Sequence, residues 1–237
     1  MSNFYGPLFK FSRWILSLFY KKYSVDKVAN FKGPVVYVSH HQNMHGPIVT
    51  LLSFPKPLHV WALHVFFNKH ICFKQYSEFT FTKRFGWPKT LAKIMAFPIS
   101  RFIPKLIQSG QAIPVYRGSR SIMDTFKKTI EVLNAGEHVI IFPNIDYSSS
   151  SATVGDLYDG FLFIEKYFFK ETGRHICFVP LYASKKKKAL VTGTPIYFRD
   201  GHKFQEERKF VLEKIKTELN ALAIQSGDDQ GKEEKVG

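Results

Sequence analysis

The sequence has no run of about eighteen uncharged apolar residues, so no membrane-spanning helix is expected. It shows no charged-then-apolar leader with a small-residue cleavage site, no internal repeat and no linker. Cysteine is scarce: Cys72 and Cys177 lie far apart without a CxxC pair and read as small buried hydrophobes in a reducing compartment. Acidic residues are few as well, 19 against 34 Lys plus Arg, for a net charge of +15 and a pI near 9.7. What is abundant is aromatic carbon, with 24 Phe in 237 residues. A basic, Phe-rich chain suits either nucleic acid or an anionic membrane. The basic regions are rich in Phe rather than Arg and carry no recognition motif, so nucleic acid is not an expected partner.

At this length one domain with a sizeable core is expected. Residues 1–30 form an N-terminal region in which Phe9, Phe11, Trp14, Ile15, Leu16, Leu18, Phe19 and Tyr20 are interleaved with and bracketed by Lys10, Arg13, Lys21 and Lys22. Two readings stay open, a helix packed on the domain and a helix lying in the headgroup layer with rings down and cations up. Residues 31–225 alternate strand and helix signals. Strands are expected at Val35–Val38, Leu58–Leu63, Gln111–Gly118, His138–Pro143, Ile176–Tyr182, Ala189–Val191 and Pro195–Phe198. Helices are expected at Ser121 to Gly136, with Ile122, Phe126, Ile130 and Leu133 on one face, at Val154 to Lys170, and at Lys203 to Ile224. The ring-dense stretch Phe66 to Ile107 is expected as short helices cut at Pro88, Pro98 and Pro104. It forms either a cap on the sheet or a membrane-apposed surface or acyl-chain groove, and the alternation of rings with cations favours the second reading. The four lysines Lys185–Lys188 read as a solvated turn. Residues 226–237 read as a disordered polar tail. The fold class that follows is α/β, a single domain with a mixed β-sheet flanked by helices.

The stretch that organises the chain is Val35 to Pro47. A strand of β-formers feeds a short polar loop holding His40, His41 and His45, and Gly46-Pro47 then opens a helix. An active site at the carboxyl end of an α/β strand has this layout. Four readings compete: hydrogen-bonding loop histidines, a metal site, a general base with His40 at the strand end, and an inactive descendant of such a base. The metal reading is the weakest, because the i, i+4 spacing of His41 and His45 helps only inside a helix and the loop has no Asp or Glu. No metal or cofactor is expected.

The loop resembles the first motif of the glycerolipid acyltransferase family, a His, four residues, then an Asp. His40 matches the His, and His45 stands at the Asp position. Ile113 to Arg117 is similar to the second motif, a strand ending in an Arg that holds the acceptor phosphate, a role suited to a guanidinium. Phe142 and Pro143 match the start of the third motif, Phe-Pro-Glu-Gly-Thr-Arg. Asn144, Ile145, Asp146 and Tyr147 replace its remainder. Gly160 within Tyr158-Asp159-Gly160-Phe161, Pro180 within Val179-Pro180-Leu181, and Gly193-Thr194-Pro195-Ile196 are similar to the later conserved stretches, in the same order from Val35 to Phe198.

The resemblance implies a membrane-associated acyltransferase, with acyl-CoA or acyl carrier protein as donor and a lysolipid or glycerol-phosphate-type acceptor. It works at an anionic membrane surface, on the cytoplasmic face, as a peripheral or monotopic protein. The non-catalytic alternative is a lipid-binding protein of the same fold. The resemblance makes His40 the base, with His45 at its partner's position, and Arg117, Phe142, Pro143, Asn144, Gly160 and Pro180 the substrate-binding set; Asp146, at the end of the third-motif strand, is the substitute carboxylate for the missing Asp. A neutral His45 can orient His40 by one hydrogen bond, but it supplies no negative charge.

Overall fold

The computed structural model describes residues 4–26, 31 and 33–229. In chain order the elements begin with α1 (Pro7–Phe19), β1 (Ser24–Asp26), β2 (Val35–Ser39), α2 (His45–Ser53) and β3 (Leu58–Leu63). Next come α3 (Lys69–Lys74), a π-helical stretch Gln75–Arg84, α4 (Lys89–Ser109), β4 (Ile113–Val115), α5 (Ile122–Asn134) and β5 (His138–Ile141). The chain ends with α6 (Phe163–Thr172), β6 (Cys177–Ser184), β7 (Ala189–Thr192) and α7 (Phe204–Gln225). These form two compact units, Met1–Ile15 with His59–Lys128, and Leu16–Leu58 with Thr129–Gly237, each over its described residues.

The second unit holds a mixed sheet flanked by helices. β2 is central, parallel to β5 on one side and to β6 on the other. β7 returns antiparallel to β6 through the Lys185–Lys188 turn, and β1 runs parallel to β7. Every residue of β2 is buried, as expected for a parallel strand covered on both faces. Helix α7 packs on β6 through its Val211, Ile215, Leu219 and Leu222 stripe, the face that its 3.6-residue period marks out. The parallel registers Val38↔Ile141 and Ser39↔Leu181 bring the carboxyl ends of β2, β5 and β6 to one sheet edge. That edge carries His40, Asn144 and the lysine turn.

The first unit pairs β3 with β4 in parallel. Helix α4 runs unbroken through Pro98 and Pro104, where short helices were expected. The reason lies in packing. Ala92, Ala96, Ser100 and Pro104 form a buried stripe at four-residue intervals, and α4 packs against α3 and the π-helical stretch. That contact offsets the roughly 3 kcal/mol an interior proline costs. Pro98 is exposed, so the carbonyl that it frees belongs to the open face.

Three further expectations differ. The helix expected from Val154 starts only with a 3₁₀ turn at Asp159 and continues as α6, because Leu157 is instead bridged to Asn144. Pro195–Phe198 makes a single bridge, Ile196 to Phe178, rather than a strand. Of the expected tail, Ser226 to Asp229 are placed against the protein, and residues 230–237 lie outside the described residues.

Candidate active site

The chain leaves β2 at Ser39 and turns through Gln42 (φ 45°) and Asn43 (φ 58°) into α2. Gly46 is required here. A Cβ at this position would overlap the His40 carbonyl oxygen and come within 3.0 Å of the His41 carbonyl oxygen, so only glycine lets the first turn of α2 sit against the strand end. His40 itself is 1% exposed.

Facing it is the loop that leaves β5. Its neck is closed by Ile145 N–H to the Asp156 carbonyl (3.0 Å) and Tyr158 N–H to the Pro143 carbonyl (2.8 Å). Its far leg is held to α7 by Val154 N–H on Asn220 Oδ1 (2.7 Å). The serine-rich tip closes over the histidine loop, with Asn43 N–H donating to the Ser149 carbonyl at 2.7 Å. Between the two loops lies a cleft of about 200 Å³, whose lining includes His40, Asn144, Asp146, Ser149, Ser151 and Thr153.

Both ring nitrogens of His40 are engaged, and the partners fix the proton. His41 N–H donates to Asn144 Oδ1 at 2.8 Å, so the amide's oxygen faces the backbone and its NH₂ faces the imidazole. Asn144 Nδ2 therefore donates to His40 Nδ1 at 2.9 Å, which makes Nδ1 the unprotonated nitrogen. The ring proton is left on Nε2, which donates to the Ser151 carbonyl at 2.9 Å. Burial, aided by the charge of Lys185 and opposed by the bonds to Ser151 and Asn144, holds the His40 pKa below the usual 6.5. The imidazole is neutral at pH 7, with its lone pair on Nδ1 taken up by Asn144.

His45 opens α2 with its Nε2 3.3 Å from the Tyr23 hydroxyl, and it makes no hydrogen bond to His40. Asp146 is exposed at the cleft rim, where Oδ1 accepts from Ser148 N (2.9 Å) and Ser148 Oγ (2.6 Å), and it too makes no bond to His40. The group at Nδ1 is Asn144, which stands where the family motif has Glu. Phe142 meets the His41 ring edge-on at 5.8 Å. Pro143 is buried at the loop neck, and Gly160 lies where a Cβ would overlap the Tyr158 ring. Pro180 pairs with Val38 inside the sheet. Arg117 is exposed beyond β4 in the first unit. Tyr23, Ser151 and Lys185 were not legible as site residues, since each arrives from a non-local strand or loop.

Burial first, and then the charges of Lys185 and Lys188, push the His45 pKa down to about 4 from the usual 6.5, with Asp228 opposing. A lowered folded-state pKa means that the unfolded chain binds more protons between these values, so stability falls as pH drops from about 6.5 to about 4. His45→Gln should flatten that limb of the stability–pH curve in urea melts. An unchanged acid limb would show that His45 titrates normally.

A histidine at the end of a central parallel strand, facing the loop of the neighbouring strand on a mixed sheet, has the architecture of a glycerolipid acyltransferase-like α/β fold. The chain is similar in structure to the 1-acyl-sn-glycerophosphate (LPA) acyltransferase PlsC from Thermotoga maritima. Identity is 17%, the match covers 91% of this chain and 78% of that one, and the TM-score is 0.51. At that identity the likeness establishes the fold. No family model matches the sequence, and no curated protein matches it.

Proposed function

We propose that the protein is an acyltransferase of the glycerolipid type acting at a membrane surface. It moves a fatty acyl group from acyl-CoA or acyl carrier protein to a hydroxyl of a lysophospholipid or glycerol-phosphate-type acceptor. The observation that carries this reading is the strand-end imidazole of His40 at the wall of a polar cleft, on a fold shared with an LPA acyltransferase. In the reaction His40 Nε2 takes the acceptor's hydroxyl proton, the oxygen attacks the thioester carbonyl, and the thiolate leaves with that proton. Arg117 holds the acceptor phosphate and Asn144 lines the cleft, while Phe142, Pro143, Gly160 and Pro180 act through packing outside its lining. For this the serine loop must lift from Nε2 and the ring proton must move to Nδ1.

The tautomer favours a second reading, a non-catalytic lipid-binding protein. Here Asn144 donates where a triad has a carboxylate accepting, and an imidazole with the wrong tautomer can lose about four orders of magnitude in rate. Acyl-CoA consumption across a panel of lysophospholipids, measured beside lysolipid binding, separates the two. Turnover abolished by His40→Ala supports the first, and binding without turnover supports the second. Turnover that survives His40→Ala contradicts the acyltransferase mechanism.

Surface chemistry supports the membrane setting. No helix among the described residues is long and apolar enough to cross a bilayer. Helix α1 buries none of its side chains, and Trp14 (59% exposed) and Phe19 (79%) face outward among Lys10, Arg13, Lys21 and Lys22. On α4, Ile94 (63%) is exposed between Lys93 and Arg101. Exposed rings and aliphatic side chains interleaved with cations in the sequence match the headgroup layer of an anionic leaflet. The protein should float with anionic liposomes at low salt, and Trp14→Glu with Phe19→Glu should leave most of it unbound. Wild-type protein remaining at the bottom of the gradient would contradict the membrane setting.

A further inference from the structure

The turn joining β6 to β7 lies at the same sheet edge as His40, because β6 runs parallel to β2 and extends past it to Ser184. The turn binds a carboxylate. Lys186 N–H donates to Asp228 Oδ1 at 2.7 Å, and Lys185 N–H donates to Asp228 Oδ2 at 3.1 Å. The next amide, Lys187 N–H, is taken by Ser184 Oγ at 3.0 Å. Asp228 is delivered by the end of α7. Gly227 adopts φ 73°, its N–H bonds the Ile224 carbonyl (2.8 Å), and Asp228 N–H bonds the Ala223 carbonyl (3.1 Å). The Lys186 ammonium lies over Gly227, where an added Cβ would come within 3.0 Å of Nζ. Lys188 Nζ stands 6.0 Å from the centroid of the Tyr23 ring, whose hydroxyl meets His45.

Two successive backbone amides gripping both oxygens of one anion form an anion-binding nest, and here it lies in a turn of four consecutive lysines, with the Lys186 ammonium close to Gly227 beside the bound Asp228. We infer that the nest formed by the Lys185 and Lys186 amides is a phosphate-binding site that Asp228 occupies in cis. Phosphate fits better than a carboxylate would. It offers more acceptor oxygens to the same two amides, and its greater charge suits a turn of four consecutive lysines. The field of Lys185 and Lys188 already reaches the histidine loop, where it helps to keep His40 and His45 neutral. The inference rests on the acyl-lipid reading only for its choice of a lipid phosphate as the natural ligand; the nest itself needs no turnover.

The test is a titration of the full chain with inorganic phosphate, followed by amide NMR shifts at Lys185 and Lys186, for wild type, Asp228→Asn and Asp228→Ala. Removing the cis carboxylate should tighten phosphate binding about tenfold, the factor expected if Asp228 fills the nest about nine-tenths of the time. Lys185→Gln with Lys188→Gln should weaken it. A parallel flotation assay compares vesicles of phosphatidate in phosphatidylcholine with phosphatidylcholine alone. Stronger phosphatidate binding by the Asp228 variants identifies a lipid headgroup as the source. Tighter binding of inorganic phosphate with no change in flotation identifies a free phosphate. Equal affinity for phosphate in wild type and both Asp228 variants, or shifts that avoid the two amides, overturns the site. None of these readouts involves acyl transfer, so a silent turnover assay would count against the proposed reaction and leave this inference standing.

Discussion

Asn144→Asp should raise acyl-transfer turnover by about a hundredfold or more, toward the four orders of magnitude that separate the right from the wrong tautomer in a Ser-His-Asp triad. One carboxylate oxygen keeps the bond from His41 N–H, now made to Asn144 Oδ1. The other faces Nδ1 and can only accept, so the ring proton moves from Nε2 to Nδ1. Nε2 then presents a lone pair to the Ser151 carbonyl, where it now donates a proton at 2.9 Å, and the repulsion releases the serine loop. The carboxylate also raises the basicity of His40, against the burial that lowers it. A charge at a position 4% exposed costs stability, so a lower melting temperature should accompany the gain. Initial rates of thioester consumption, with folding checked by circular dichroism, measure both. A folded variant with unchanged turnover would remove Asn144 from control of the base.

Gly46→Ala should destabilise the fold by about 3 kcal/mol, at the upper end of what overpacking costs. The added methyl meets backbone, the His40 carbonyl first and the His41 carbonyl next, so no side chain can rotate away. Relief requires α2 to shift off the end of β2, which also breaks Gly46 N–H to the His41 carbonyl (3.0 Å). For a chain of this size, 3 kcal/mol corresponds to a fall of roughly 6–12 °C in the thermal midpoint. Calorimetry decides the matter, and a midpoint within a degree of wild type would contradict the close approach of helix and strand.

These two residues differ in how far the sequence discloses them. Gly46 beside Pro47 announces a helix start, and the β-formers before His40 announce a buried strand; both signals are local. The same holds for α7, whose stripe repeats at the helical period, and for Leu58–Leu63, which forms β3 with the expected bounds. Asn144 is different. It reaches His40 only because β5 pairs in parallel with β2, about a hundred residues apart in the chain, and strand order is not written in either segment. The partners expected from motif spacing, His45 and Asp146, turn instead to Tyr23 and Ser148. Pro98 and Pro104 mislead for a related reason, since a local helix-breaking rule yields to a buried stripe that exists only after α4 is packed.

The state of the site is set by the proton of His40, and heteronuclear NMR of the imidazole nitrogens reads it directly. Wild-type protein should show the Nε2–H tautomer, neutral at pH 7 and resisting protonation to well below the usual 6.5, while Asn144→Asp should show Nδ1–H. An Nδ1–H imidazole in the wild type, or one that titrates at or above the usual value, would contradict the assignment of Asn144 as donor and the closed site built on it.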